Sequence, residues 1–302
     1  MSLSPKMREL IETRRRRPAA IAEAAAARAR PAALAEGSDR LMVIAADHPA
    51  RGSLGAGAAG MAMADRTELL ARLTLALSRP GVNGVLGTPD IIEDLLLLGA
   101  LDGKYAFGSM NRGGLAGSVF EIDDTFTAYD AATIAAMGLD GGKMLLRIDN
   151  DDPATPATMA ACAAAVGDLA AHGLPAMIEP FISRRVDGRV RNVLEPEAAI
   201  RAMSIASGIG PTSAYTWLKV PIVDEMERVM TSSTLPAVIL GGEVADDQEA
   251  TFESWRHALA LPTVMGLAVG RSLLFPPGDD VPAAVDAAAG LVHAAPVPGA
   301  QI

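Results

Sequence analysis

Residues 41–47 read Leu41-Met42-Val43-Ile44-Ala45-Ala46-Asp47, six apolar residues in a row that end on a carboxylate. A run that is apolar at every position reads as a strand buried on both faces, as in a parallel sheet, so the charge at its end needs an explanation. Seven similar runs follow: Asn83 to Gly87, Tyr105 to Gly108, Lys143 to Ile148, Ala176 to Pro180, Tyr215 to Val220, Ala237 to Leu240 and Val264 to Val269. Helical patterns separate them, which is the alternation expected of βα units. The first and last centres lie roughly 223 residues apart, about 32 per unit, close to what an eightfold barrel of about 250 residues needs. The fold class expected is therefore α/β, a (β/α)8 TIM barrel at residues 38–295. It is expected to carry an N-terminal helical extension at 1–37 and a loose C-terminal tail at 296–302.

The segments between the runs carry helix punctuation. Thr88-Pro89 and Thr155-Pro156 each place a capping hydroxyl before a proline suited to a first helical turn, while Gly138 and Gly173 read as C-terminal stops. Leu69, Leu70, Leu73, Ala76 and Leu77 form one apolar stripe at helical spacing, and a last helix is expected at about Pro282 to His293. Val186-Asp187-Gly188-Arg189-Val190 predicts a small hairpin after the fifth strand, because Asp-Gly between branched residues favours a primed turn.

Composition narrows the function classes. With 302 residues and 50% hydrophobic content the chain can bury a large core, yet it has only 2 Trp, 3 Tyr and 6 Phe. Few aromatics and a formal charge of −10 argue against a nucleic-acid binder, which needs stacking platforms and positive potential. Residues 1–40 run the other way, with nine Lys and Arg against five Asp and Glu. That leader lacks the apolar stretch of a signal peptide or membrane anchor and reads as a solvated helix beside the main domain. Cys162 is the single cysteine, so no internal disulfide forms, and cytoplasm is the default compartment. No window of 18 apolar residues suggests a membrane span, and the four histidines have no zinc-site spacing. No metal and no cofactor are expected.

The charges at the strand ends fall on one side. Asp47 follows strand one, Arg147 and Asp149 close strand four, Glu179 closes strand five, and Lys219 lies near the end of strand six. In a βα barrel all carboxyl ends converge on the face that carries chemistry. Lys219 shares strand parity with Trp217 and Tyr215, which aims it into the barrel mouth, whereas Lys143 opens its strand and is assigned to the opposite, stabilising face. Gly241-Gly242 after strand seven and Gly270-Arg271-Ser272 after strand eight suit a phosphate: glycine exposes backbone N–H groups, and arginine adds a charge-assisted fork.

Ala46-Asp47-His48, Leu146-Arg147-Ile148-Asp149, Ile178-Glu179-Pro180, Leu218-Lys219-Val220, Leu240-Gly241-Gly242 and Val269-Gly270-Arg271, in that order over residues 38–277, resemble the class I (Schiff-base) aldolases of the deoxyribose-phosphate, tagatose-bisphosphate and microbial fructose-bisphosphate aldolase superfamily. The resemblance implies that Lys219 forms a carbinolamine and then an imine with a ketose or aldehyde phosphate such as dihydroxyacetone phosphate. Imine chemistry needs a free amine, and an ordinary lysine of pKa about 10.4 is protonated at pH 7. On the resemblance, Arg147 supplies a neighbouring cation that disfavours a second positive charge, Trp217 partly desolvates the amine, and Glu179 and Asp47 shuttle protons. The chain departs from the pattern in two places: Glu179 stands where some relatives have a tyrosine, as in the tagatose-bisphosphate branch, and Arg147 where a strand-four lysine is common.

Arg112, Ser118, Arg184 and Asp149 are further candidate substrate contacts, Arg184 for a second phosphate or a carboxylate. His48 is either catalytic or a rim residue. The residues leave three readings open: a class I aldolase acting on a phosphorylated keto-sugar, a barrel isomerase or epimerase with Asp47 and Glu179 as acid and base, and a non-catalytic sugar-phosphate-binding protein. The expected partners are a small-molecule sugar phosphate and further copies of the chain in a homo-oligomer, with neither nucleic acid nor membrane.

Overall fold

Each of the eight apolar runs forms a strand in a computed structural model that describes residues 3–32, 40–242, 244 and 247–295. The strands are β1 (Leu41–Ala45), β2 (Gly84–Gly87), β3 (Tyr105–Ser109), β4 (Gly141–Ile148), β5 (Ala176–Val186), β6 (Arg189–Asn192), β7 (Thr216–Val220), β8 (Ala237–Leu240) and β9 (Val264–Val269). All but β6 pair in parallel in the order β4-β3-β2-β1-β9-β8-β7-β5, and β4 pairs with β5 to close the ring. The fold is a (β/α)8 TIM barrel, and closure removes the exposed sheet edges.

The helices are α1 (Pro5–Arg16), α2 (Ala20–Ala27), α3 (Arg66–Leu77), α4 (Pro89–Leu97), α5 (Ala131–Ala136), α6 (Thr155–Ala171), α7 (Pro196–Ser207), α8 (Met226–Met230), α9 (Gln248–Leu259), α10 (Arg271–Leu274) and α11 (Val281–Ala294). The α3 stripe of Leu69, Leu70, Leu73, Ala76 and Leu77 is buried, and Gly138 and Gly173 take the left-handed conformation just past α5 and α6. Thr88 precedes α4 as expected, although its hydroxyl bonds the Asp90 carboxylate at 2.6 Å rather than a backbone N–H. Thr155 is not a cap: it is the first residue of α6, and its hydroxyl donates to the Asp149 carbonyl at 2.7 Å, closing the loop after β4.

Strand alternation divides the core in two. Met42, Ile44, Leu218 and Val220 face outward into the helix layer, while Leu41, Val43, Phe107, Met177, Trp217 and Val238 fill the barrel interior. Phe107 and Trp217 pack there with ring centroids 6.0 Å apart. This plug forms the floor beneath the strand-end charges.

The N-terminal extension is two helices, and its arginines are used rather than simply solvated. Arg14 pairs with Asp94 and Glu93 of α4, while Arg28 donates to the carbonyls of Lys104 and Gly138 and pairs with Asp140 at 3.2 Å. Met7 and Leu10 are the buried apolar contacts of α1. The expected junction near residues 37 and 38 and the tail at 296–302 lie outside the described residues. Among those described, no helix is long and apolar enough to cross a membrane.

Strand β5 runs six residues past Pro180 and turns back antiparallel as β6, with Val186 opposite Arg189. Asp187 and Gly188 both have positive φ, 50° and 73°, the condition for the primed turn that their sequence predicts.

Candidate active site

Because β1, β3, β4, β5 and β7 alternate in phase, Asp47, Ser109, Lys143, Glu179 and Lys219 all project into the barrel above its apolar plug. Asp47, Lys143, Glu179 and Lys219 line one end of a cavity of about 650 Å³ at the carboxyl face. The buried charges form an alternating row. Arg112 Nη1 lies 3.1 Å from Asp47 Oδ2, Lys143 Nζ lies 3.1 Å from the same oxygen and also contacts Glu179 Oε2, and Lys219 Nζ lies 2.5 Å from Glu179 Oε1. Ser109 adds a hydroxyl hydrogen bond of 3.0 Å to Asp47.

Burial alone would raise both carboxyl pKa values, but the charges override it. Lys143 first and then Arg112 hold Asp47 well below the usual carboxylate range, and Lys143 with Lys219 does the same for Glu179. Burial lowers the Lys143 pKa, and the two carboxylates only partly offset it. Two anions thus remain ionised among three cations.

Lys143 corrects the sequence reading, which placed it on the opposite face. Strand β4 starts two residues earlier, at Gly141, so Lys143 is its third residue, paired with Ser109 and Met177, and its stem carries the ammonium up to the carboxylates. Gly141-Gly142 is not a turn. A side chain on Gly142 would meet Met110 Sδ at 2.5 Å, so these glycines allow close packing within the strand.

Arg147 lines the cavity, but its charge is committed elsewhere. It forms a two-point pair with Asp124 at 2.7 and 2.8 Å and approaches Glu121 at 3.6 Å. The cation that shares a carboxylate with Lys219 is Lys143. The strand-four cation beside Lys219 is thus Lys143, where the sequence reading expected Arg147.

Gly241, Gly242, Gly270 and Arg271 border the cavity together, as expected from the loops after the last two strands. Side chains would not fit at two of them. A Cβ on Gly270 would stand 2.1 Å from the Ala45 carbonyl, and one on Gly241 2.4 Å from Val269 Cγ1. Arg271 Nε and Ser272 Oγ are buried with no hydrogen-bond partner among the described residues, which leaves donors available beside the glycines.

His48 borders the same region. Burial, with Arg271 and Lys219 nearby, lowers its pKa to about 3 despite Asp47, so the ring is neutral at pH 7. Arg112 reaches the site through Asp47, but the other three low-ranking candidates do not line the cavity. Ser118 donates to the Leu115 carbonyl, Arg184 is exposed on the hairpin, and the Asp149 carboxylate accepts from the Asp151 N–H to close a turn. Sequence reasoning missed Arg51, Glu121 and Arg191, which border the cavity from loops and the hairpin. No regular pattern marks them. Among the described residues, no group of three or more His, Cys, Asp or Glu side chains is arranged to hold a metal ion.

Residues 39–289 match the model of the Cgl0159-like family. The chain belongs to that family. The crystal structure of Cgl0159 from Corynebacterium glutamicum (Brevibacterium flavum) is 51% identical, covers 97% of this chain and 98% of its own, and superposes with a TM-score of 0.94. More distant structures extend the fold beyond the Cgl0159-like proteins. An archaeal fructose 1,6-bisphosphate aldolase with its catalytic lysine covalently bound to the carbinolamine intermediate is 18% identical over 84% of this chain and 94% of its own, with a TM-score of 0.63. A fructose-bisphosphate aldolase from Slackia heliotrinireducens DSM 20476 is 16% identical over 86% and 87%, with a TM-score of 0.60. At these identities the likeness establishes an aldolase-like barrel fold. No protein of curated function matches the chain.

Proposed function

We propose that this Cgl0159-like protein is a class I aldolase that makes or breaks a carbon–carbon bond in a phosphorylated keto-sugar through an imine on Lys219. The observation that carries the reading is the Lys219–Glu179 contact at 2.5 Å, on the floor of a cavity bordered two strands away by Arg271, whose Nε has no hydrogen-bond partner among the described residues. The barrel likeness to Schiff-base aldolases is consistent with it. In this reading Glu179 takes a proton from the Lys219 ammonium, and the free amine adds to the substrate carbonyl. The resulting carbinolamine is uncharged at nitrogen, so Glu179 loses one of its two flanking cations and its proton affinity rises. Glu179 can then protonate the departing hydroxyl, which leaves as water and creates a protonated imine. Bond cleavage sends the electron pair into that imine while Glu179, again a carboxylate, takes the proton of the hydroxyl that becomes the aldehyde carbonyl; the enamine carbon later takes that proton, and water hydrolyses the imine that re-forms to release the ketone and the Lys219 amine.

In this reading Lys143, between Asp47 and Glu179, positions both carboxylates without touching substrate. Arg271, Gly241, Gly242 and Gly270 hold the phosphate in this reading.

The test is borohydride reduction with dihydroxyacetone phosphate, followed by intact-protein mass measurement. A borohydride-dependent adduct in the wild type and none in Lys219→Ala is expected. No adduct with dihydroxyacetone phosphate or with a panel of keto- and aldo-phosphates would overturn the reading in favour of an isomerase or a binding protein.

A further inference from the structure

The cavity is more cationic than one phosphate explains. Seven Lys and Arg side chains line it against three carboxylates, in a chain whose overall charge is −10. Asp47 and Glu179 are each shared between two cations, and Glu121 faces Arg147. Arg271 belongs to the proposed phosphate cradle. Among the described residues Arg51, the exposed hairpin Arg191 and part of Arg112 remain without a carboxylate, and of these Arg51 and Arg112 stand together below the rim.

Arg112 is 4% exposed and fully fixed at two of its nitrogens, with Nε donating to the Asn111 carbonyl at 2.7 Å and Nη1 on Asp47. Its Nη2 is buried and has no hydrogen-bond partner among the described residues. Arg51 donates Nε to the Gly114 carbonyl at 2.9 Å and has no carboxylate partner among the described residues. Partial burial lowers the Arg51 pKa to about 10, and the Arg147 and Arg112 charges add to that, while Asp124 and Asp47 only partly offset it. Guanidinium groups left with free N–H bonds in such a place are suited to receive acid oxygens.

Arg51 follows β1, the neighbour of the β9 that leads to Gly270 and Arg271, but its guanidinium reaches the Gly114 carbonyl in the loop after β3, on the Arg112 side. Gly241-Gly242 follows β8 and Arg112 follows β3, four strands apart in a ring of eight and therefore on opposite sides of the mouth. The row from Asp47 through Lys143 and Glu179 to Lys219 lies on the floor between them.

We infer that Arg51 and Arg112 form a second anion subsite, so that the substrate is a linear sugar derivative with a phosphate at one end and a further acid group, carboxylate or phosphate, at the other. The inference rests on the aldolase reading for which bond lies between the two ends. Its own test does not need that chemistry.

The test uses three open-chain probes without a carbonyl, none able to form an imine: glucitol 6-phosphate with one acid group, 6-phosphogluconate with an added carboxylate, and glucitol 1,6-bisphosphate with an added phosphate. Calorimetric affinities are measured for the wild-type protein, Arg51→Met and Arg112→Lys, the last retaining a charge beside Asp47. At least one two-acid probe should bind the wild type about 10-fold or more tighter than glucitol 6-phosphate, in line with charge-assisted hydrogen bonds. That ratio should fall toward one in both variants. Because it is taken within each variant, general damage to the site cancels. The probe that gains identifies the acid. Equal binding of all three probes by the wild type, or a ratio unchanged in both variants, would overturn the inference. Failure of borohydride trapping would remove the aldolase reading and leave this comparison standing.

Discussion

Replacing Asp47 by Asn tests the buried charge row with little change of shape. The wild-type row sets Arg112, Lys143 and Lys219 against Asp47 and Glu179, one excess positive charge in a setting where all five side chains are buried. Asp47→Asn leaves three cations around one carboxylate and removes the anion that both Arg112 and Lys143 contact. Removing one partner of a buried pair costs about 3–5 kcal/mol. A separate bound comes from Lys143, which can shed its proton: bringing an ordinary lysine to neutrality at pH 7 costs about 4.6 kcal/mol. The expected loss at pH 7 is therefore about 3–4.6 kcal/mol.

The sign of the pH dependence follows from the same group. The folded-state pKa of Lys143 is already depressed, and losing Asp47 depresses it further. Between the two folded-state values, folded Asp47→Asn binds fewer protons than folded wild type, so the deficit shrinks as pH rises from the variant's Lys143 value to the wild-type one and is constant above it. Urea unfolding of both proteins at pH 7 and pH 9.5 reads this directly. A deficit under about 1 kcal/mol at pH 7, or one that grows with pH, would refute the reasoning.

Three further outcomes follow from other parts of the site. The His48 ring should titrate near 3 by proton NMR rather than near 6.5; because its folded pKa is depressed, the stability gained from keeping it neutral is complete above pH 6.5 and lost as pH falls toward 3. Arg271→Met should weaken binding of dihydroxyacetone phosphate by about 10- to 100-fold, the range for losing one charge-assisted hydrogen bond, and an unchanged affinity in calorimetry would place the phosphate elsewhere. Gly266→Ala should lower the melting temperature sharply or prevent folding, since the new methyl would stand 1.9 Å from the Leu41 carbonyl between β9 and β1, where only backbone can give way; a melting temperature within about 2 °C of wild type contradicts that packing.

The fold was legible because buried parallel strands announce themselves as unbroken apolar runs, and the spacing of eight of them leaves few architectures. The four-residue run Tyr105 to Gly108 forms β3, held by Phe107 inside the barrel and Ala106 outside. Strand parity likewise put Lys219 and Trp217 inside. Lys143 escaped because Gly141-Gly142 has the composition of a turn, and only the tight fit of Gly142 against Met110 explains glycine inside a strand. Arg147 misled for another reason: its partner Asp124 lies in a long loop, and sequence spacing gives no hint that the two meet. Arg51 and Arg112 were unremarkable or faint in sequence because their environment, a cavity short of carboxylates, exists only once the loops after β1 and β3 are folded.

The central claim is that Lys219, and not the neighbouring Lys143, is the nucleophile, with Lys143 fixed between two carboxylates. Peptide mass mapping of the borohydride-reduced adduct formed with dihydroxyacetone phosphate decides between two ammonium groups that share Glu179. The account predicts modification confined to the peptide containing Lys219. Modification at Lys143, or at both lysines equally, would contradict it.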